Sequence, residues 1–264
     1  MLTSYHTHSR WSDGRDDLSA MLDAARGMGI DELGISDHYV HRPDNIPLVW
    51  SMPLDFLPDY VARVQEAAAG SGTVTLRLGT EVDFFPETAA AVSARLAEFP
   101  FDYLLGAVHF VGDFSVDESA ELWEALSPDA RDAMWRDYWL HVRMMAERGF
   151  CDLVAHLDLP KKFGYFPRID LRAEENAALD AIAAAGMAIE INTAGWSKPV
   201  AEAYPSERLL RAAYAREIPL AIAPDAHTAL HLTANYARAR QLAHAAGYTT
   251  LVGFHQRERF SYPL

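Results

Sequence analysis

Short apolar runs alternate with longer amphipathic segments along the whole chain. Leu2–His6 reads as a first strand. Asp16 or Asp17 can cap a helix that runs to about Met28 and ends at Gly29. Glu32–Ser36 reads as strand two and Thr73–Gly79, β-branched and alternating, as strand three. Between them, Tyr39–Pro53 reads as a loop, and Leu54–Ala69 carries helical spacing at Phe56, Leu57, Tyr60, Val61 and Val64. A helix over Ala89–Glu98 and strand four over Tyr103–Val108 follow. Val111–Ser127 is acidic and mixed, the pattern of a lid loop with a short helix, and Pro128 starts a long helix to Arg148. Asp152–Ala155, Met187–Ile191 and Ile218–Ala223 read as strands five to seven, separated by helices over Leu171–Ala185 and Ser206–Arg216. Ala234–Ala246 reads as a last helix and Thr249–Phe254 as a final short strand.

Strands joined by helix-length crossovers pair in parallel. A closed barrel accounts for the chemistry better than an open sheet does. His6 and His8 follow strand one, His38 strand two, Glu81 strand three, His109 strand four, His156 strand five, and Asp225 and His227 strand seven. In a (β/α) barrel those strand ends converge on one face, where active sites lie; an open sheet would gather its site at a single switch point. Residues i and i+2 of a strand share a face, so His6 and His8 present two imidazoles to one point.

With Asp13, these positions make nine, and they hold six of the eleven histidines. Singly, each is as well explained by a surface or core role. Jointly, nine imidazoles and carboxylates on one face require cations to coordinate them. Mixed nitrogen and oxygen ligands suit Zn, Fe or Mn, and nine exceed one ion's needs, so two or three divalent ions are implied, with Glu81 able to bridge.

Composition narrows the partners. The 264 residues, half of them hydrophobic, suffice for one α/β domain spanning 1–264, and no linker-like stretch divides them. A net charge of -14 argues against nucleic acid or an anionic membrane as partner. It permits a small phosphate ester bound through cations. The single cysteine, Cys151, excludes an intramolecular disulfide, and its apolar context is that of a buried structural thiol. No signal-peptide pattern and no run of 18 apolar residues is present, so a cytoplasmic protein is the expectation. Oligomeric state is left open.

The motifs resemble those of the PHP (polymerase and histidinol phosphatase) superfamily, and within it the histidinol-phosphate phosphatase branch. The matching pieces are His6-Thr7-His8 with Ser12-Asp13-Gly14, Ser36-Asp37-His38, Gly79-Thr80-Glu81-Val82-Asp83 and Gly106-Ala107-Val108-His109. They continue with Ala155-His156-Leu157-Asp158, Glu190-Ile191-Asn192, Tyr204-Pro205-Ser206 and Pro224-Asp225-Ala226-His227. Two departures are Pro224, where many members carry Ser, and Trp196-Ser197, where a basic residue is expected. The resemblance implies a distorted, TIM-like (β/α)7 barrel and a trinuclear metal centre. It assigns one ion to His6, His8, Glu81 and Asp225, a second to Glu81, His109 and His156, and a third to Asp13, His38 and His227. Glu81, His109, Asp225 and His227 are the expected catalytic residues among these.

The expected reaction is hydrolysis of L-histidinol phosphate, a phosphate monoester, by metal-activated water without a covalent enzyme intermediate. Lys161, Lys162, Arg168 and Lys198, in loops after strands five and six, are the candidate phosphate contacts, with Arg10 and Arg42 behind them. Asp83 and Asp158 are candidates to meet the substrate's amine or imidazole. Three competing readings are another PHP phosphoesterase, a non-catalytic metal- or phosphate-binding barrel, and an amidohydrolase-type enzyme. The last normally needs a bridging mid-barrel lysine, and no lysine stands at a strand end.

Overall fold

A computed structural model describes all of residues 1–264. The strands are β1 (Thr3–Ser4), β2 (Glu32–Ile35), β3 (His38–Tyr39), β4 (Thr75–Leu78), β5 (Glu81–Asp83), β6 (Leu105–Ala107), β7 (Phe110–Val111), β8 (Phe114–Ser115), β9 (Leu153–Val154), β10 (Ala188–Asn192), β11 (Leu220–Ala223), β12 (Thr250–His255) and β13 (Glu258–Pro263). The helices are α1 (Leu18–Met28), α2 (Leu57–Ala69), α3 (Ala89–Leu96), α4 (Ala120–Ala125), α5 (Pro128–Glu147), α6 (Arg172–Ala184), α7 (Glu207–Tyr214) and α8 (Tyr236–Ala246). Asp17 caps α1 through its side chain, and Gly29 ends it in the left-handed conformation that glycine adopts without steric cost.

All barrel pairings are parallel: β1–β2–β4 on one side, and β3–β5–β6–β9–β10–β11 on the other. The strand β2/β3 is interrupted at Ser36-Asp37, and β4/β5 at Gly79-Thr80. The breaks coincide, and Tyr60 spans them, its hydroxyl donating to the carbonyls of Ile35 and Gly79. Counting each broken strand once gives seven. The ring closes between the first and the seventh through a single parallel bridge, Thr7 to Ala226, with His8 N donating to Ala226 O at 2.8 Å. The architecture is the distorted (β/α)7 barrel expected.

The barrel interior is narrow below the mouth. Ala107, Ala155, Ala188 and Ala221 pack with Leu105, Leu153 and the rings of Tyr5, Tyr103 and Phe254. Tyr103 crosses the interior to donate its hydroxyl to Tyr5 O. Gly34 and Gly79 lie against the Tyr103 ring, where any Cβ would overlap it. The hairpin β12–β13 supplies Val252 and Phe254 to the floor; only its first strand is legible in the hydrophobic pattern. A second, larger cluster of 62 buried residues joins strand side chains such as Leu33, Ile35, Ile189 and Ile222 to the helices. Cys151 is buried there. The stretch after strand four is more ordered than a lid loop: it forms the hairpin β7–β8 and then α4. No helix is long and apolar enough to cross a membrane.

Candidate metal centre

Each of the nine expected residues lies at the C-terminal mouth. His6 and His8 flank the bridge at Thr7, directly across the seam from Asp225 and His227. The loop carrying Asp13 is shaped by the buried Asp37, whose carboxylate accepts from Ser9 N and Oγ and from Ser12 N and Oγ. Gly14 packs on the His8 carbonyl too closely for any Cβ. Two further ligands sit in left-handed backbone, His156 with φ 23° and Asp225 with φ 53°. Such strain is concentrated at functional sites.

Glu81, 1% exposed, is the hub. Its Oε2 stands 3.2 Å from His6 Nε2, 3.4 Å from His8 Nε2 and 2.9 Å from His38 Nδ1. Its Oε1 stands 2.9 Å from His156 Nε2 and 3.7 Å from His109 Nε2. Asp225 Oδ1 lies 3.5 Å from both His6 Nε2 and His8 Nε2. On the outer side, Asp13 lies 3.1 Å from His227 Nε2 and 3.8 Å from His38 Nε2.

Whether these residues fit metal ions can be tested on two observations. His8 is fully buried, yet neither of its ring nitrogens has a hydrogen-bond partner. A core histidine left in that state is costly. Secondly, zinc bonds of about 2.0–2.1 Å in a tetrahedron give ligand–ligand edges of about 3.3 Å. Four edges of the set His6, His8, Glu81 and Asp225 measure 3.2–3.5 Å. Asp13, His38 and His227 also gather within 4.8 Å, joined by His8, and so do His38, Glu81 and His109. The residues fit a multi-ion centre.

Burial and the facing carboxylates drive the cluster's histidines apart in basicity. Burial opposes charge on His6, but Glu190, Asp225 and Glu81 hold its pKa well above the usual value. Burial likewise opposes charge on His109 and His227, yet Asp83 raises the first to about 10 and Asp13 with Asp225 the second to about 9. Burial pushes His8 down to about 3, aided by repulsion from His38 and His227. Against the same desolvation, His6 and His38 hold Glu81 well below the carboxylate range.

The lysine and arginine candidates divide. Lys162 and Lys198 line the mouth cavity of about 350 Å³, beside Trp50, Leu159, Tyr204, Asp117 and Glu118. Lys162 donates to Asp117 O and pairs with its carboxylate at 3.0 Å. Lys161 does not reach the mouth. It is buried at 1% exposure, its ammonium held by Asp158, Glu202 and the Ala203 carbonyl. Arg168 lies away from the mouth, paired with Asp129 and Asp132. Arg42 pairs with Asp44 and Asp113, and Arg10 bonds the Arg15 carbonyl. Asp158 is committed to Lys161 and Ser206 N. Asp83, rather than facing a substrate, accepts from His109 N at 2.9 Å and faces His109 Nδ1 at 3.0 Å. Glu190, which the sequence places only within the matching piece Glu190-Ile191-Asn192 and to which it gives no role, is fully buried behind His6 and His156. Its signal was a charge in the middle of the apolar strand Ala188-Ile189-Glu190-Ile191.

A closed parallel barrel with imidazoles and carboxylates converging on its C-terminal mouth defines the class: a metal-centre barrel protein. Residues 4–194 match the PHP domain family model, and the chain belongs to that family. It is 40% identical over 214 residues, 81% of this chain and 79% of the other, to a "Probable histidinol-phosphatase" of Deinococcus radiodurans. Histidinol-phosphatase of Lactococcus lactis subsp. lactis is 23% identical over 262 residues, covering 95% and 93% of the two chains. A crystal structure of histidinol phosphate phosphatase from that organism, complexed with zinc, L-histidinol and phosphate, superposes with TM-score 0.81 at 22% identity. It covers 98% of each chain.

Proposed function

We propose that this protein hydrolyses L-histidinol phosphate to L-histidinol and inorganic phosphate, a cytoplasmic step of histidine biosynthesis, using two to three divalent ions (Zn, Fe or Mn). The observation that carries the reading is the Glu81-centred cluster at the mouth. Its chain is 40% identical to a probable histidinol-phosphatase over most of both lengths. His6, His8, Glu81 and Asp225 would hold one ion; Glu81, His109 and His156 a second; Asp13, His38 and His227 a third. Ions there would supply a water of lowered pKa and offset charge developing on the phosphoryl oxygens.

The chain's own groups do the rest. Asp83 fixes the His109 ring, so that Nε2 faces Glu81. Lys198 lines the cavity without an internal ion pair and is the group free to meet phosphate; Lys162, tied to Asp117, is placed beside it. Asp117 and Glu118 put negative charge on the same rim, suited to the cationic end of an amino alcohol phosphate. Trp50, Leu159 and Tyr204 wall the cavity and limit water access. The chain's acidity supports a small-molecule substrate over nucleic acid.

The test is phosphate release from L-histidinol phosphate, p-nitrophenyl phosphate and a dinucleotide, side by side. A preference for the first is expected. Equal rates on the first two would make the protein a general phosphatase, and preference for the dinucleotide would overturn the substrate class.

A further inference from the structure

Glu190 is absent from the nine ligands, yet it is fully buried inside the barrel one layer below them. Four contacts define its place. His6 Nδ1 lies 3.0 Å from its Oε1 and 3.1 Å from its Oε2. His156 N donates to Oε1 at 3.0 Å. Asn192 Nδ2 donates to the same oxygen at 2.8 Å, and also reaches Asp225 Oδ2 at 3.2 Å. Strand geometry explains the pairing with Asn192: residues i and i+2 of β10 both point inward.

From this geometry we propose that Glu190 is the positioning residue for three ligands at once, the side chain of His6, the backbone of His156 and, through Asn192, the carboxylate of Asp225. It rests on the metal-centre reading above. The argument turns on His6. Its two ring nitrogens face carboxylates on opposite sides, Glu190 at Nδ1 and Glu81 with Asp225 at Nε2. A histidine ligates through the nitrogen that carries no proton, and the hydrogen bond at the other nitrogen selects which one that is. Glu190 is acceptor-only when ionised, so it keeps the proton on Nδ1 and leaves the Nε2 lone pair facing the mouth. The same oxygen anchors the peptide of His156, which sits in left-handed backbone. One carboxylate therefore ties β10 to the first and fifth barrel strands at the ligand layer.

Glu190→Gln is the discriminating variant. The amide oxygen takes the place of Oε1, where His156 N and Asn192 Nδ2 donate, so the NH2 takes the place of Oε2, 3.1 Å from His6 Nδ1, and the negative charge that held the Nδ1 proton is gone. That disfavours the Nδ1–H tautomer while keeping the side chain's shape and the bonds to His156 N and Asn192. Metal-depleted wild type and variant are titrated with Zn2+ against a competing chelator, with thermal unfolding of the metal-free forms measured alongside. The expected result is a drop of about 10–100-fold in Zn2+ affinity for the Glu190→Gln protein, with its metal-free unfolding temperature close to wild type. Glu190→Asp, which keeps the charge, is expected to recover part of the loss. Wild-type Zn2+ affinity and stoichiometry in a folded Glu190→Gln protein would overturn the proposal and leave the metal-centre reading intact. Absence of Zn2+ binding by the wild type would overturn both.

Discussion

At the scale of single residues, Glu81 stands apart because five histidine rings come within 3.7 Å of its two oxygens. Glu81→Gln keeps its volume and removes its charge. Loss of phosphatase activity with the fold retained is the expected outcome, read from phosphate release and circular dichroism; turnover near wild type would place the chemistry elsewhere. Protons and ions compete for the same lone pairs. Although burial opposes it, Asp83 raises His109 to about 10, and Asp13 with Asp225 raises His227 to about 9. At neutral pH the ion-free protein therefore holds protons that an ion must displace. Affinity for Zn2+ should rise with pH up to about 10, and binding at pH 7 should release protons. Calorimetric titration in buffers of different ionisation enthalpy reads that release directly, and binding enthalpies independent of buffer would contradict it. The mouth was legible because histidine, a rare residue type, recurred six times at one structural place, the strand end. Glu190 and Asp83 were harder to assign, since a buried carboxylate serving a ligand looks in sequence like any acid on a strand.

Among the elements, the turn Leu159–Phe163 after β9 shows where sequence stops being informative. Lys161 and Lys162 are neighbours of one type, yet one is sealed beneath the Tyr204 loop and the other faces the cavity. Only the three-dimensional path of the turn separates them. Their variants should separate too. Lys161→Ala strands Asp158 and the Ala203 carbonyl, and breaking a buried pair costs about 3–5 kcal/mol; chemical denaturation should register it. Lys198→Ala should leave stability unchanged and raise KM for the phosphate ester several-fold. An unchanged KM would remove Lys198 from the phosphate site. The hairpin β12–β13 is the element least legible beforehand. Its second strand, Glu258–Pro263, presents mostly exposed or half-exposed side chains, with only Tyr262 buried, so no apolar run announces it.

Over the whole molecule, the barrel and the site are the same problem of closure. Six of the seven seams are ladders, whereas the seventh is one bridge at Thr7 and Ala226. His6 and His8 face Asp225 across it at 3.5 Å. Ions held there would bind the folded form alone, and a site filled at 100 times its Kd adds about 2.7 kcal/mol of stability. Chelation should therefore lower the unfolding temperature and Zn2+ restore it, followed by differential scanning fluorimetry; an unfolding temperature indifferent to both would separate the seam from the metals. The seam also sets an order on synthesis. His6 and His8 leave the ribosome first, and Asp225 and His227 more than two hundred residues later. Until the seventh strand emerges, the nascent chain holds an incomplete ligand set. A product that stops short of it has no finished centre, so a truncated copy lacks the chemistry as well as the last wall of the barrel.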